Sequence, residues 1–202
     1  RFSNQQPVTS NFLYFCLYTF VFYLKSTLMN YYSLVIGTIF IVLFSWFLSI
    51  KYKRYHGIVR FFAFESVFVL VLLNFKAWFI NPFSSLQIVS WVLLVFSAYV
   101  VITGFLLLKR EGKPDRNFEN TSILVKSGIY GYIRHPLYLS IFLLGTGVLL
   151  KDPGVIQLIL GVINLVAIYF TARIEEKEMI AKFADEYRIY MKETRMFIPF
   201  IL

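Results

Sequence analysis

Two stretches of this chain carry no charge for as long as a bilayer is thick. Residues 31–50 run for 20 residues without a charged side chain, and residues 86–108 run for 23. About 20 apolar residues in a helix cross the hydrocarbon core. In lipid every backbone N–H and C=O must be satisfied inside the helix or in a closed barrel, so these runs read as membrane-spanning helices. The composition agrees, since 58% of the 202 residues are hydrophobic and 23 Phe and 14 Tyr would need a far larger shell in a soluble domain.

Three further runs are weaker. Residues 61–80 carry Glu65, Asn74 and Lys76; residues 137–150 are apolar but short; residues 155–172 form another uncharged run. Glu65 reads as an interface or helix-pairing residue rather than a catalytic one. The turn Lys151-Asp152-Pro153-Gly154 joins the last two runs into a helical hairpin, with Gly145, Gly147 and Gly161 allowing close packing. Residues 1–30 are left open: residues 11–24 are apolar and aromatic but too short for a straight span, and fit an interfacial helix, an extra span or a signal-peptide core. The chain starts at Arg1, so the reading allows for a missing N-terminus.

The formal net charge of +9 raises nucleic acid as a partner, but the charges follow the ends of the apolar runs instead of forming a patch. Four Lys and Arg fall in residues 51–60, six in residues 109–134 and six from residue 173 onward, which is 16 of the 20. With five spans all three groups lie on one side, and the positive-inside rule makes that side cytoplasmic, facing anionic lipid. No nucleic acid is expected. Cys16 is alone, which excludes a disulfide framework and a Cys-based metal site, and no metal is expected.

One polar interruption breaks the apolar pattern. Residues 124–138 read LVKSGIYGYIRHPLY, with Arg134 and His135 side by side at the mouth of the next apolar run. Ionisable residues at the edge of a bilayer are costly and point to a site; the bland alternative is two side chains snorkelling to headgroups. Residues 174–192 place Met179, Ile180, Phe183, Tyr187, Tyr190 and Met191 at helical spacing, which predicts an amphipathic helix with Glu175, Glu176 and Glu178 in its first turns, where acids suit the helix dipole. A hairpin that leaves and returns on one side brings Arg134 and His135 towards Glu175 and Glu176. Four clustered ionisable groups make a better site candidate than either pair alone.

Three separated parts, LVKSGIYGYIRHPLY, EEKEMIAKFADEY and RMFIPF, occur in an order and spacing that resemble the isoprenylcysteine carboxyl methyltransferases and their phospholipid N-methyltransferase relatives. The resemblance covers roughly residues 86–202. It implies an integral, multi-pass membrane enzyme that uses S-adenosylmethionine. In the family, the positions matching Leu124, Val125, Gly128, Tyr130, His135, Pro136 and Tyr138 line the cofactor, as do the paired acids Glu175 and Glu176. Arg134 matches an Arg needed for activity. Relatives acting on prenylcysteine often carry an Arg four residues before the first acid. Here that place holds Thr171 and the nearest Arg is Arg173, which with Arg134 is the expected substrate-binding pair. The family's FG.EY reads Phe183-Ala184-Asp185-Glu186-Tyr187, with Ala in place of Gly.

The chemistry of these residues suits that implication. Methyl transfer from a sulfonium is an in-line displacement that needs alignment and desolvation. Glu175 can accept hydrogen bonds from a ribose or an ammonium. Tyr130 or Tyr138 can face a sulfonium through cation–π attraction. Arg134 can hold a carboxylate or phosphate bidentately, and His135 can donate to the cofactor carboxylate or act as a general base, a role the chemistry allows without requiring it; these two are the catalytic candidates. No G-x-G-x-x-G follows a strand, so a soluble dinucleotide fold is excluded.

The expectation is therefore an all-α membrane bundle of about five transmembrane helices, with a cytoplasmic cofactor pocket and a C-terminal amphipathic helix. Residues 31–202 form one domain, and its catalytic part is 109–202. The expected activity is methylation of a lipophilic or lipid-anchored acceptor, either an isoprenylcysteine carboxylate or a phospholipid amine, by a protein in contact with membrane lipids. Two other classes share part of this pattern. Membrane sterol reductases end in a related Arg-His-x-Asn-Tyr and bind NADPH, but here Pro136 follows His135 and the Asn is absent. A non-enzymatic scaffold is the other.

Overall fold

A computed structural model describes residues 31–52, 54–114 and 121–198. The open question about residues 1–30 lies outside the described residues, as does the charged loop at 115–120. The chain divides into two compact units, residues 1–39 and 40–202. Of the first, residues 31–39 are described and are helical. All packing below concerns the second.

The elements are helices: α1 (Tyr31–Leu48), α2 (His56–Asn74), α3 (Ser85–Glu111), α4 (Pro136–Leu149), α5 (Val155–Phe183) and α6 (Asp185–Glu193). Among the described residues, α1, α3, α5 and α2 with its short 3-10 continuation to Ala77 are long and apolar enough to cross a membrane. The protein is an integral membrane helical bundle. α4 has only 14 residues, which at 1.5 Å per residue reaches about 21 Å. It fills the fifth predicted place as a shorter buried helix.

Local sequence explains the helix ends. Pro136 opens α4, where its missing N–H costs no hydrogen bond. Gly112 ends α3, its amide donating to the carbonyl of Leu108. Ala184 stops α5 with φ 48°, and α6 starts at the next residue.

Two boundaries differ from the sequence expectation. α2 begins at His56, five residues before the predicted span at 61, so Arg60 lies inside a helix. α5 does not end near residue 172 but runs on to Phe183. The acids Glu175, Glu176 and Glu178 therefore sit in the interior of a long helix and not at the dipole-favoured start of a separate one. Hydropathy falls at residue 173, but Glu, Lys, Met and Ala are all good helix formers, so nothing stops the helix there. The separate C-terminal amphipathic helix shrinks to the nine residues of α6.

α2 packs along α5 and α3 along α4, with α4 also touching α2 and α5. The core joins Ala63, Tyr138, Ala167, Ile168, Ala172 and Met196. Between helices, small residues and side-chain amides do the holding, as expected where lipid gives no hydrophobic drive to association. A Cβ on Gly145 would come within 3.1 Å of Asn164 and 3.2 Å of Val67, and one on Gly147 within 3.0 Å of Leu94. Ser90 donates to the Gly147 carbonyl at 2.6 Å, Ser97 to the Ser140 carbonyl at 2.8 Å, and Asn164 to the Ala63 carbonyl at 2.9 Å. Such bonds contribute roughly 0.6–2 kcal/mol each in a membrane setting. The opposite stripe of α3, with Val92, Val95, Tyr99, Ile102 and Leu106, is exposed and apolar, as a lipid-facing surface must be.

Candidate active site

The segment before α4 is fixed by the end of the chain. The amide of Arg134 donates to the Arg195 carbonyl at 2.8 Å, that of His135 to the Met196 carbonyl at 3.2 Å, and that of Arg195 to the Tyr132 carbonyl at 3.1 Å. RMFIPF thus pairs with the RHP stretch as a short parallel bridge, Ile133 to Arg195. Gly128 opens the preceding turn with φ 54°, a conformation that favours glycine, and a Cβ there would meet Leu107 at 2.8 Å.

The hairpin brings the predicted groups together. His135 Nδ1 lies 3.6 Å from Glu175 Oε2 and its Nε2 lies 3.6 Å from Glu176 Oε1. The ring stacks on Tyr138 at 5.5 Å between centroids. Burial pulls the His135 pKa down, but the two carboxylates more than offset it, so the ring holds its proton above the usual histidine range. Arg134 is committed elsewhere: Nε donates to Glu176 at 2.8 Å, and Nη1 donates to the carbonyls of Thr194 at 2.5 Å and Met191 at 3.2 Å. Arg134 and Glu176 form a buried ion pair that anchors the C-terminal turn to α5.

A cavity of about 320 Å³ opens in front of these groups. Leu124, Val125, Tyr130, Arg134, His135, Pro136, Tyr138 and Glu175 all line it. Glu176, Gly128 and Arg173 do not. Glu176 is buried behind the wall, Gly128 shapes the backbone, and the half-exposed Arg173 side chain reaches Glu176 at 3.6 Å. Tyr130, Tyr187 and Tyr190 line the cavity as well. Burial raises all three phenols, with the Glu175 charge adding to Tyr130 and Tyr187. They stay protonated, and Tyr190 gives its hydrogen to the Tyr130 carbonyl at 2.7 Å.

Sequence reasoning missed what α2 and the residues just before it contribute. Arg54 donates to Glu178 at 3.2 Å and to Glu175 at 3.5 Å, and His56 Nδ1 lies 2.9 Å from Glu178 Oε2. Phe44, Arg60, Phe64 and Phe105 form much of the remaining wall. The shared side of the basic clusters was the available signal. Nothing in the periodicity told which helix would lie beside α5.

The phospholipid methyltransferase family model matches residues 86–186, half of the chain, and the chain belongs to that family. Its similar relatives include a protein-S-isoprenylcysteine O-methyltransferase of Saccharomyces cerevisiae, 37% identical over 86 residues, which are 41% of this chain and 35% of that protein. A methanethiol S-methyltransferase of Crocosphaera subtropica is 29% identical over 123 residues, 59% of this chain and 47% of the relative. The mouse protein-S-isoprenylcysteine O-methyltransferase is 38% identical over 88 residues, 41% of this chain and 29% of the relative. The chain thus spans from under a third to about half of the length of these relatives. No solved structure matches it.

Proposed function

We propose that the protein is an S-adenosylmethionine-dependent methyltransferase whose acceptor is a lipophilic molecule reached from the bilayer, with its site on the cytoplasmic side. The observation that carries this reading is the meeting of Glu175, His135, Tyr130 and Tyr138 on one cavity wall, in a chain of a methyltransferase family.

The chain's own atoms fit such a donor. His135 Nε2 is buried and, among the described residues, has no hydrogen-bond partner, so it can donate to a carboxylate. Glu175 can accept from a ribose hydroxyl or an ammonium. The Tyr130 and Tyr138 faces suit a sulfonium, and Leu124 and Val125 supply an apolar edge. Bound there, the donor supplies an activated methyl group. The protein's part is to orient and to exclude water: the two acids hold His135 protonated, the Arg134–Glu176 pair fixes the turn that carries His135, and the aromatic wall keeps the cavity dry. No general base is required by this scheme. The basic clusters gathered at this end of the bundle support the cytoplasmic assignment.

The test is a melting experiment on the purified protein in detergent, titrated separately with S-adenosylhomocysteine and NADPH. A ligand at 100 times its Kd stabilises by about 2.7 kcal/mol. Stabilisation by S-adenosylhomocysteine and not by NADPH is expected. The reverse would assign a reductase, and no shift with either would leave a scaffold.

A further inference from the structure

Three acids stand within four residues of α5, and like charges one helical turn apart repel. Of Glu175, Glu176 and Glu178, only Glu175 lines the cavity. Its two oxygens meet cations from two different parts of the fold. Oε2 lies 3.6 Å from Nδ1 of His135, just before α4. Oε1 lies 3.5 Å from Nη2 of Arg54, two residues before α2. Arg54 does not line the cavity and reaches Glu175 from behind its wall. Its Nε donates to Glu178 Oε2 at 3.2 Å, and the same oxygen lies 2.9 Å from Nδ1 of the fully buried His56. A guanidinium is a rigid plane, so the bond at Nε sets where Nη2 faces. The backbone holds the residue in place: the Arg54 amide donates to the Ser49 carbonyl at 3.1 Å, and the Arg54 carbonyl accepts from the Gly57 amide at 3.3 Å. A Cβ on Gly57 would come within 2.5 Å of the Ser49 Cβ, so the turn from α1 into α2 depends on that glycine. His135 is backed in the same way: its Nε2 lies 3.6 Å from Glu176, which accepts from Arg134 at 2.8 Å.

We propose that Arg54 is a positioning residue of the donor site: oriented by Glu178, it fixes the Glu175 carboxylate in the orientation that receives the donor, and it does not touch the donor itself. The proposal rests on the methyl-transfer reading in naming that ligand. A carboxylate that turned freely, or swung away from Glu178, would add an ordering cost to each binding event, and one held at both oxygens does not. Arg54 precedes the stretch matched by the family model, residues 86–186, so a residue outside the shared part tunes an acid inside it.

The experiment uses the full chain in detergent and measures two things for each variant: the Kd for S-adenosylhomocysteine by calorimetry, and the Tm without ligand. Arg54→Gln is expected to weaken binding by about tenfold, the order of one charge-assisted contact. Arg54→Lys is expected to recover part of that loss, because the charge survives and the fork does not. Glu178→Gln should weaken binding in the same direction. The double variant Arg54→Gln/Glu178→Gln should bind no more weakly than Arg54→Gln, because Glu178 acts through Arg54; two independent losses would add. A lowered Tm with an unchanged Kd in Arg54→Gln would make Arg54 a structural tie and overturn the proposal, and so would additive losses in the double variant. Should Arg54→Gln fail to fold, Arg54→Lys carries the test, and a wild-type Kd there overturns the proposal. These outcomes leave the methyltransferase reading standing, since wild type still binds S-adenosylhomocysteine in each of them. No binding by wild type would remove that reading, and this proposal with it.

Discussion

Both ends of the bundle bury a cation, and they use it in opposite ways. At the end carrying the turn between α4 and α5, Lys151 is 4% exposed. Its Nζ donates to Gln87 Oε1 at 3.0 Å and lies 3.6 Å from the centre of the Trp91 ring, while Gln87 returns a bond to the Lys151 carbonyl at 2.8 Å. Asn74 donates to the Val148 carbonyl at 2.7 Å and accepts from Gln157 at 3.0 Å. All of these partners are neutral, desolvation lowers the Lys151 pKa, and none of these residues lines the cavity. At the other end, arginines and histidines meet Glu175, Glu176 and Glu178 around open space. The first arrangement is a staple. The second keeps charge in front of a cavity, which costs stability and is the arrangement that the proposed function uses.

The contrast can be broken by substitution. The largest effect is expected for Arg134→Ala, which leaves the Glu176 carboxylate buried without its closest cation; a loss of roughly 3–5 kcal/mol is the expected outcome of opening a buried pair, read by denaturant or thermal unfolding. Glu175→Gln keeps the shape and removes the charge. It should erase the S-adenosylhomocysteine stabilisation, about 2.7 kcal/mol at 100 times Kd, while the unliganded protein still melts cooperatively. Lys151→Met at the far end should cost about 0.5–2 kcal/mol, the worth of a cation–π contact, and leave ligand shifts untouched. An altered shift in that variant would mean that the two ends are coupled.

The smallest effect is a pH slope. The folded pKa of His135 is raised by Glu175 and Glu176. Its contribution to stability is therefore complete below the unfolded value of about 6.5 and is lost as pH rises through the higher folded value. His135→Gln should flatten that part of the stability profile, measured as Tm against pH without ligand.

Much of the site was legible because its parts are local. The residues 124–138 segment, the Pro136 start of α4 and the tight turn at residues 151–154 are all written in short-range signals, and they suffice to bring His135 within 3.6 Å of Glu175. Arg134 was legible as important but not in its geometry: its bonds to Thr194 and Met191 depend on where the last turn docks. Gly128 and Glu176 were singled out with the lining residues, yet one shapes the backbone and the other lies behind the wall. In the sequence Arg54 and Arg60 are only two members of the basic cluster at residues 51–60, with His56 between them, because no spacing rule says that α2 lies against α5.

The sequence alone determined that the chain is a set of membrane helices with its basic clusters on one side, because hydropathy and charge are properties of each segment by itself. It also determined the polar segment and the acids that the hairpin returns to it. Only the tertiary structure decided that α5 carries its acids past the apolar run in one helix, that Arg134 is tied to Glu176 and the C-terminal turn, and that Arg60 enters the cavity. Those outcomes depend on which helix faces follow from close packing at small residues, and that choice is made between segments far apart in the chain.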